Sequence, residues 1–180
     1  MFNSMPDYRA LTLKASQGGL LNCLISDVKV CYAFDGDASS HLANMLSLKG
    51  IWDTGATGSA ITPDVVKRLD LKPVGMTRVS TANGTADQNQ YLVNLMLPNG
   101  VGVRAVKVTE ADLTGADVLI GMDVITLGDF SITNFNRNTV MSFRVPSCYE
   151  VDFVPAVADP SALSRAERRR IKRQDNRHSK

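Results

Sequence analysis

The chain has 180 residues, 44% hydrophobic and 21% charged, which is enough apolar material to bury one ordinary core and excludes a wholly disordered chain. Twenty Lys and Arg against 18 Asp and Glu give a formal charge of only +2, which argues against a dedicated nucleic-acid or membrane binder. That total hides an asymmetry: Ser161 to Lys180 holds eight basic and two acidic residues, leaving twelve against sixteen for residues 1–160, so a mildly acidic region carries a basic tail.

Residues 1–26 have weak periodicity, broken by Gly18-Gly19, and read as an N-terminal extension able to add an edge strand. From Val28 the pattern turns β-like. Val28, Val30, Tyr32 and Phe34 alternate with Lys29, Cys31 and Ala33, and Asp35-Gly36-Asp37 supplies a turn. Leu42–Leu48 and Ile51-Trp52 supply further strand material. Thr62-Pro63-Asp64 places an N-cap residue before a first-turn proline, which opens a short helix through Val65, Val66 and Leu69.

Met76–Leu97 contains Ala82-Asn83-Gly84-Thr85, and Asn-Gly between two long arms predicts a projecting β-hairpin. Pro98-Asn99-Gly100 turns the chain from Tyr91–Leu97 into Val101–Val108. Val118-Leu119-Ile120 is a short apolar strand ending at Gly121. Met122–Leu127 reads as a second short helix, with Asp123 as its cap, and Phe130–Thr133 with Thr139–Phe143 as a closing hairpin around Asn136-Arg137-Asn138. Trp52 and Met76 are assigned to the core. Many short strands and few helical stretches give an all-β class, a small barrel or sandwich.

After Phe143 the composition changes. Residues 147–160 are a proline-punctuated linker, and Ser164 to Glu167 spells a capping box that could start a basic helix in the 161–180 tail. Such a tail is either a solvated terminus or a tether for nucleic acid or another anionic partner. The three cysteines, at 23, 31 and 148, include no C-x-x-C pair and point neither to a disulfide framework nor to a zinc knuckle. Reduced thiols, no secretory-type start and no apolar run of membrane-spanning length lead to the expectation of a soluble cytoplasmic protein. His41 and His178 are too few for a metal site or a Ser-His-Asp triad, and no phosphate-binding glycine loop is present, so no cofactor or metal is expected.

The sharpest local feature is Asp53-Thr54-Gly55-Ala56, preceded by Ile51-Trp52 and followed by Thr57-Gly58-Ser59-Ala60-Ile61. Alone, such a triplet is an ordinary turn at a strand end. Together with the Thr62-Pro63 helix, the glycine-tipped hairpin at 82–85 and Leu119-Ile120-Gly121, in this order, the chain resembles the retropepsin-like aspartic proteases over roughly Val28–Pro146. The resemblance implies a small closed β-barrel of the acid-protease type as a domain over residues 27–146. It implies an aspartic endopeptidase with Asp53 as the catalytic carboxylate and Thr54, Gly55 and Ala56 as the active-site loop. Ala82, Asn83 and Gly84 become a flap that binds extended peptide, and Leu119, Ile120 and Gly121 support the catalytic loop. Thr54, by the same resemblance, turns its hydroxyl to the partner loop.

Peptide hydrolysis by this route uses one carboxylate to activate water while a second, protonated carboxyl polarises the scissile carbonyl, and two such close groups titrate as a coupled pair. Asp followed by Ser or Thr and then Gly occurs once, at 53–55. The second carboxylate is therefore expected from a second copy, in a symmetric homodimer. The alternative is a catalytically weak dimeric module of the same fold that only binds peptide. One departure from the retroviral pattern is Met122, where an Arg often pairs with an acid just after the catalytic loop; here Thr57-Gly58 stand in place of that acid as well.

Overall fold

The computed structural model describes residues 8–34, 45–81, 84–148, 150–154, 164, 165 and 169. The chain divides into two units, Met1–Cys148 and Tyr149–Lys180. All strands among the described residues lie in the first. The Asp35 turn, Leu42 to Asn44, Ala82, Asn83, His41 and most of the basic tail, including Glu167 of the capping-box spelling, fall outside the described residues.

The first unit is built from β1 (Arg9–Lys14), β2 (Ile25–Tyr32), β3 (Leu46–Trp52), β4 (Ala60–Ile61), α1 (Pro63–Arg68), β5 (Gly75–Thr81), β6 (Gly84–Met96), β7 (Gly102–Glu110), β8 (Val118–Ile120), α2 (Met122–Ile125), β9 (Asp129–Thr133) and β10 (Val140–Val145). The class is all-β with two short helices. One sheet runs β2-β3-β8-β4-β7-β6-β5, and an additional β2–β6 pairing turns all but its last strand into a ring. A second sheet has the order β1-β10-β9. Its strand β1 comes from within the N-terminal stretch and pairs from Arg9↔Val145 to Lys14↔Val140.

Alternating apolar residues fill the ring because successive side chains on a strand point to opposite faces. Val28, Val30, Ile61, Val65, Val93, Leu95, Val108, Val118 and Ile120 are buried there, in one cluster with Met141 and Phe143 of β10. Trp52 joins the two sheets. Its ring stacks on Phe130 at 5.7 Å, lies against Phe143 at 5.0 Å, and its indole N–H reaches Ser26 Oγ at 3.0 Å. Fully burying so large an aromatic while pairing its one polar group is what a core tryptophan requires.

Two core expectations are corrected. Met76 is 68% exposed on β5, an edge strand that pairs only with β6 among the described strands. The alternation along β2 also breaks: Cys31 is fully buried and Tyr32 is 43% exposed. Here β2 leaves β3 and continues along β6, with Cys31 opposite Asn94.

Asn94 faces a bulge in β7, where the register passes from Val93↔Val106 to Leu95↔Val103 and sets two residues of β7 against one of β6. Opposite it Ala105 has a φ of 51°, and its N–H is taken by Asn94 Oδ1 at 2.8 Å. Bulges bend and twist a strand locally. This one lies where β6 pairs with β2 on one side and β7 on the other, at the closure of the ring.

Candidate active site

Strands β3 and β8 run parallel, with Gly50↔Val118 and Trp52↔Ile120, while β4 pairs with β8 antiparallel, Ala60↔Leu119. Strand β8 thus lies between β3 and β4, and residues 53–59, which connect those two, pass over its end. Asp117 fixes the entry to β8: its N–H bonds Lys49 O at 2.8 Å, its carboxylate accepts from Lys49 N–H at 2.9 Å, and its carbonyl accepts from Thr62 N–H at 3.0 Å.

Asp53 follows β3 directly, half-buried, with its N–H on Ile120 O at 3.0 Å. Gly55 donates its N–H to Asp53 Oδ1 at 2.8 Å. This local Asx-type bond holds the carboxylate over its own loop. Ala56 O accepts the N–H of Met122 at 2.9 Å, and Thr57 O that of Asp123 at 3.2 Å. The loop is therefore stitched to the turn between β8 and α2.

Gly121 is where the two segments touch. A Cβ placed on it would stand 2.6 Å from both the carbonyl carbon and the oxygen of Gly58 and 3.1 Å from Ala56 O. Any larger residue drives these backbones apart. Leu119 is half-buried and Ile120 buried in β8.

Asp53, Gly55, Ala56, Ile120 and Gly121 thus form one constellation. Thr54 is exposed, and its hydroxyl makes no hydrogen bond to any described residue. Gly84 opens β6 with a φ of 120°, a conformation natural only to glycine, opposite Thr81. Ala82 and Asn83 lie outside the described residues.

Asp123 corrects the sequence reading. The N-cap of α2 is Gly121, and Asp123 stands within the first turn. Its carboxylate instead accepts the Ser59 N–H at 3.1 Å and the Ser59 hydroxyl at 2.7 Å, and Ser59 Oγ accepts the Gly121 N–H at 3.0 Å. Ser59 was missed in the sequence because a serine six residues after an aspartate carries no pattern. Its burial at 2% exposure, beside a buried glycine, is visible only in three dimensions. Met122, in the position expected to lose an ion pair, packs against the core.

Residues 42–126 match the sequence profile of the family described as "gag-polyprotein putative aspartyl protease". Over those residues the chain is similar to that family. Among solved structures, a retropepsin-like aspartic protease from Rickettsia conorii is similar at 15% identity and a TM-score of 0.49, covering 81% of this chain and 99% of that one. The Simian Foamy Virus (mac) protease is similar at 18% identity and a TM-score of 0.37, covering 56% and 91%. No curated protein matches the chain. Among the described residues, no group of three or more His, Cys, Asp or Glu gathers as metal ligands, and no helix is long and apolar enough to cross a membrane.

Proposed function

We propose that the protein is an aspartic endopeptidase that cleaves extended polypeptides as a homodimer. One observation carries this reading: the Asp53 carboxylate is held by Gly55 N–H at 2.8 Å at the end of a strand, on a loop stitched to a glycine turn. A single Asp-Thr-Gly in the sequence supports a site completed by a second copy about a two-fold axis. There one carboxylate activates water and the other, protonated, polarises the peptide carbonyl. The hairpin of β5 and β6 would cover the bound peptide, donating main-chain hydrogen bonds to it. The three cysteines form no disulfide, which supports a reducing, cytoplasmic location.

Asp53→Asn tests the chemistry. Cleavage of peptides selected from a library at roughly pH 3 to 7 is expected to fall about a thousandfold or more with the fold unchanged. A wild type that cleaves nothing across that range supports the peptide-binding alternative instead. Deleting residues 161–180 tests the basic tail: a tether predicts salt-dependent binding to nucleic acid that disappears with the deletion.

A further inference from the structure

A catalytic carboxylate works only if its loop is fixed, and the ion pair that often fixes it in the retroviral pattern is absent here, because Met122 and Thr57-Gly58 carry no charge. The loop nevertheless has two ends and both are anchored. At the first, the Asp53 N–H bonds Ile120 O. At the second, the N–H and hydroxyl of Ser59 are engaged with the turn after β8, while its carbonyl accepts the Thr109 N–H. Its N–H and O–H both go to the Asp123 carboxylate, and its Oγ receives the Gly121 N–H. Between them the contacts are main chain to main chain, from Met122 to Ala56 and from Asp123 to Thr57. Among the described residues, Ser59 and Asp123 are thus the two side chains that tie the loop to that turn.

We propose that Ser59 and Asp123 are a positioning pair that sets the Asp53 loop for catalysis in place of the missing ion pair; this rests on the reading of Asp53 as the catalytic carboxylate. The chemistry suits the task. A carboxylate that accepts two hydrogen bonds from one residue gives a charge-assisted, two-point link. It needs no buried cation, and Asp123 itself stands exposed. Ser59 passes the constraint inward, because its Oγ holds the N–H of the glycine that lies 2.6 Å, as a hypothetical Cβ, from the Gly58 backbone. Loosening the pair leaves the far end of the loop held by main-chain bonds alone, at Ala56 and Thr57, and lets Asp53 drift by a fraction of an ångström. Misplacement on that scale costs rate more than binding.

The test uses the full chain and the best library peptide. Ser59→Ala and Asp123→Ala are each expected to lower kcat by about 10- to 100-fold with KM within about twofold. Asp123→Asn, which keeps an acceptor oxygen, is expected to recover most of that loss. The double alanine variant should be about as slow as the worse single one, since both remove one link. Amide hydrogen exchange at Gly55 and Gly121 gives a readout that does not depend on cleavage, and both alanine variants should speed it. Single variants with wild-type kcat, losses that multiply in the double variant, or an Asp123→Asn as slow as Asp123→Ala each overturn the proposal. Unchanged exchange at Gly121 overturns the tie itself. If Ser59→Ala fails to fold, the exposed Asp123 position carries the test alone. A wild type that cleaves no peptide while exchange responds as expected removes the protease reading and leaves the mechanical link standing.

Discussion

At the scale of single residues, the candidate site is constrained most directly at Gly121. A methyl group there meets the Gly58 carbonyl group at 2.6 Å, and neither is the end of a flexible side chain. Gly121→Ala is expected to cost about 1–3 kcal/mol and to displace the Asp53 loop. Urea unfolding measures the first, and a loss of peptide cleavage larger than the stability change measures the second. Asp129 supplies a different kind of residue-scale prediction. The Ser147 hydroxyl, the Arg144 guanidinium and the Cys148 N–H hold its carboxyl at about 2, below its ordinary 3.8. A depressed carboxyl stabilises the fold at pH values above its ordinary range, and that stabilisation is lost as pH falls through 3.8 towards about 2. Asp129→Asn should therefore unfold at lower temperature than wild type at neutral pH, with the two curves converging as the pH approaches about 2. A temperature gap that is constant over this window would contradict the assignment. Cys31, buried and with its thiol pushed up by desolvation, should resist a thiol reagent that labels exposed Cys23 and Cys148 in the native protein.

At the scale of elements, α1 and the ring-closing bulge lead to opposite expectations. Thr62 occupies the N-cap of α1 with extended backbone angles and Pro63 in the first turn, but its side chain makes no capping hydrogen bond. Thr62→Ala should then change stability by less than the about 1 kcal/mol typical of a cap. Ala105 is exposed and held at a φ of 51°. Ala105→Gly should stabilise by about 0.5–1 kcal/mol, since glycine reaches that conformation without the Cβ clash. Chemical unfolding of both variants measures the two values.

The same elements show what a sequence can reveal. The Thr62-Pro63 start, the Asn-Gly hairpin, the Val118–Ile120 strand and the closing hairpin were legible because each is written in local turn or capping residues. The place of Asp53, at a strand end before a turn, was legible for the same reason. Burial of Cys31, exposure of Met76 and the Ser59–Asp123 pair were not. Each depends on how distant strands are arranged: β6 takes over from β3 beside Cys31, β5 ends up at the edge of its sheet, and Asp123 finds its partner 64 residues away. A helical cap for Asp123 was the reasonable local reading, and a tertiary partner displaced it.

At the scale of the whole molecule, the ring and the second sheet share one core through Trp52, Phe130 and Phe143. Trp52→Ala should be among the most destabilising substitutions, by about 3–5 kcal/mol, and because Trp52 precedes Asp53 it should disturb the loop as well. The proposed dimer is tested at this scale by equilibrium sedimentation across dilution, with activity followed in parallel. Activity per subunit is expected to fall as the dimer dissociates, and a monomer that remains active at high dilution excludes a shared site.

The parallel pairing of β3 with β8 also governs when the candidate site can exist. Lys49 and Asp117, which fasten those strands to each other, are 68 positions apart, and the hairpin of β5 and β6 lies between them in the chain. During synthesis on the ribosome, β3 and the Asp53 loop emerge long before β8 and Gly121 do. Contacts so distant in sequence form late, because the intervening chain must first be closed into a loop. A nascent chain is thus barred from assembling the Asp53 constellation until β8 has left the exit tunnel, and Trp52 waits longer still for Phe143. Under the proposed function, this ordering leaves the unfinished chain without its active site while other chains emerge beside it.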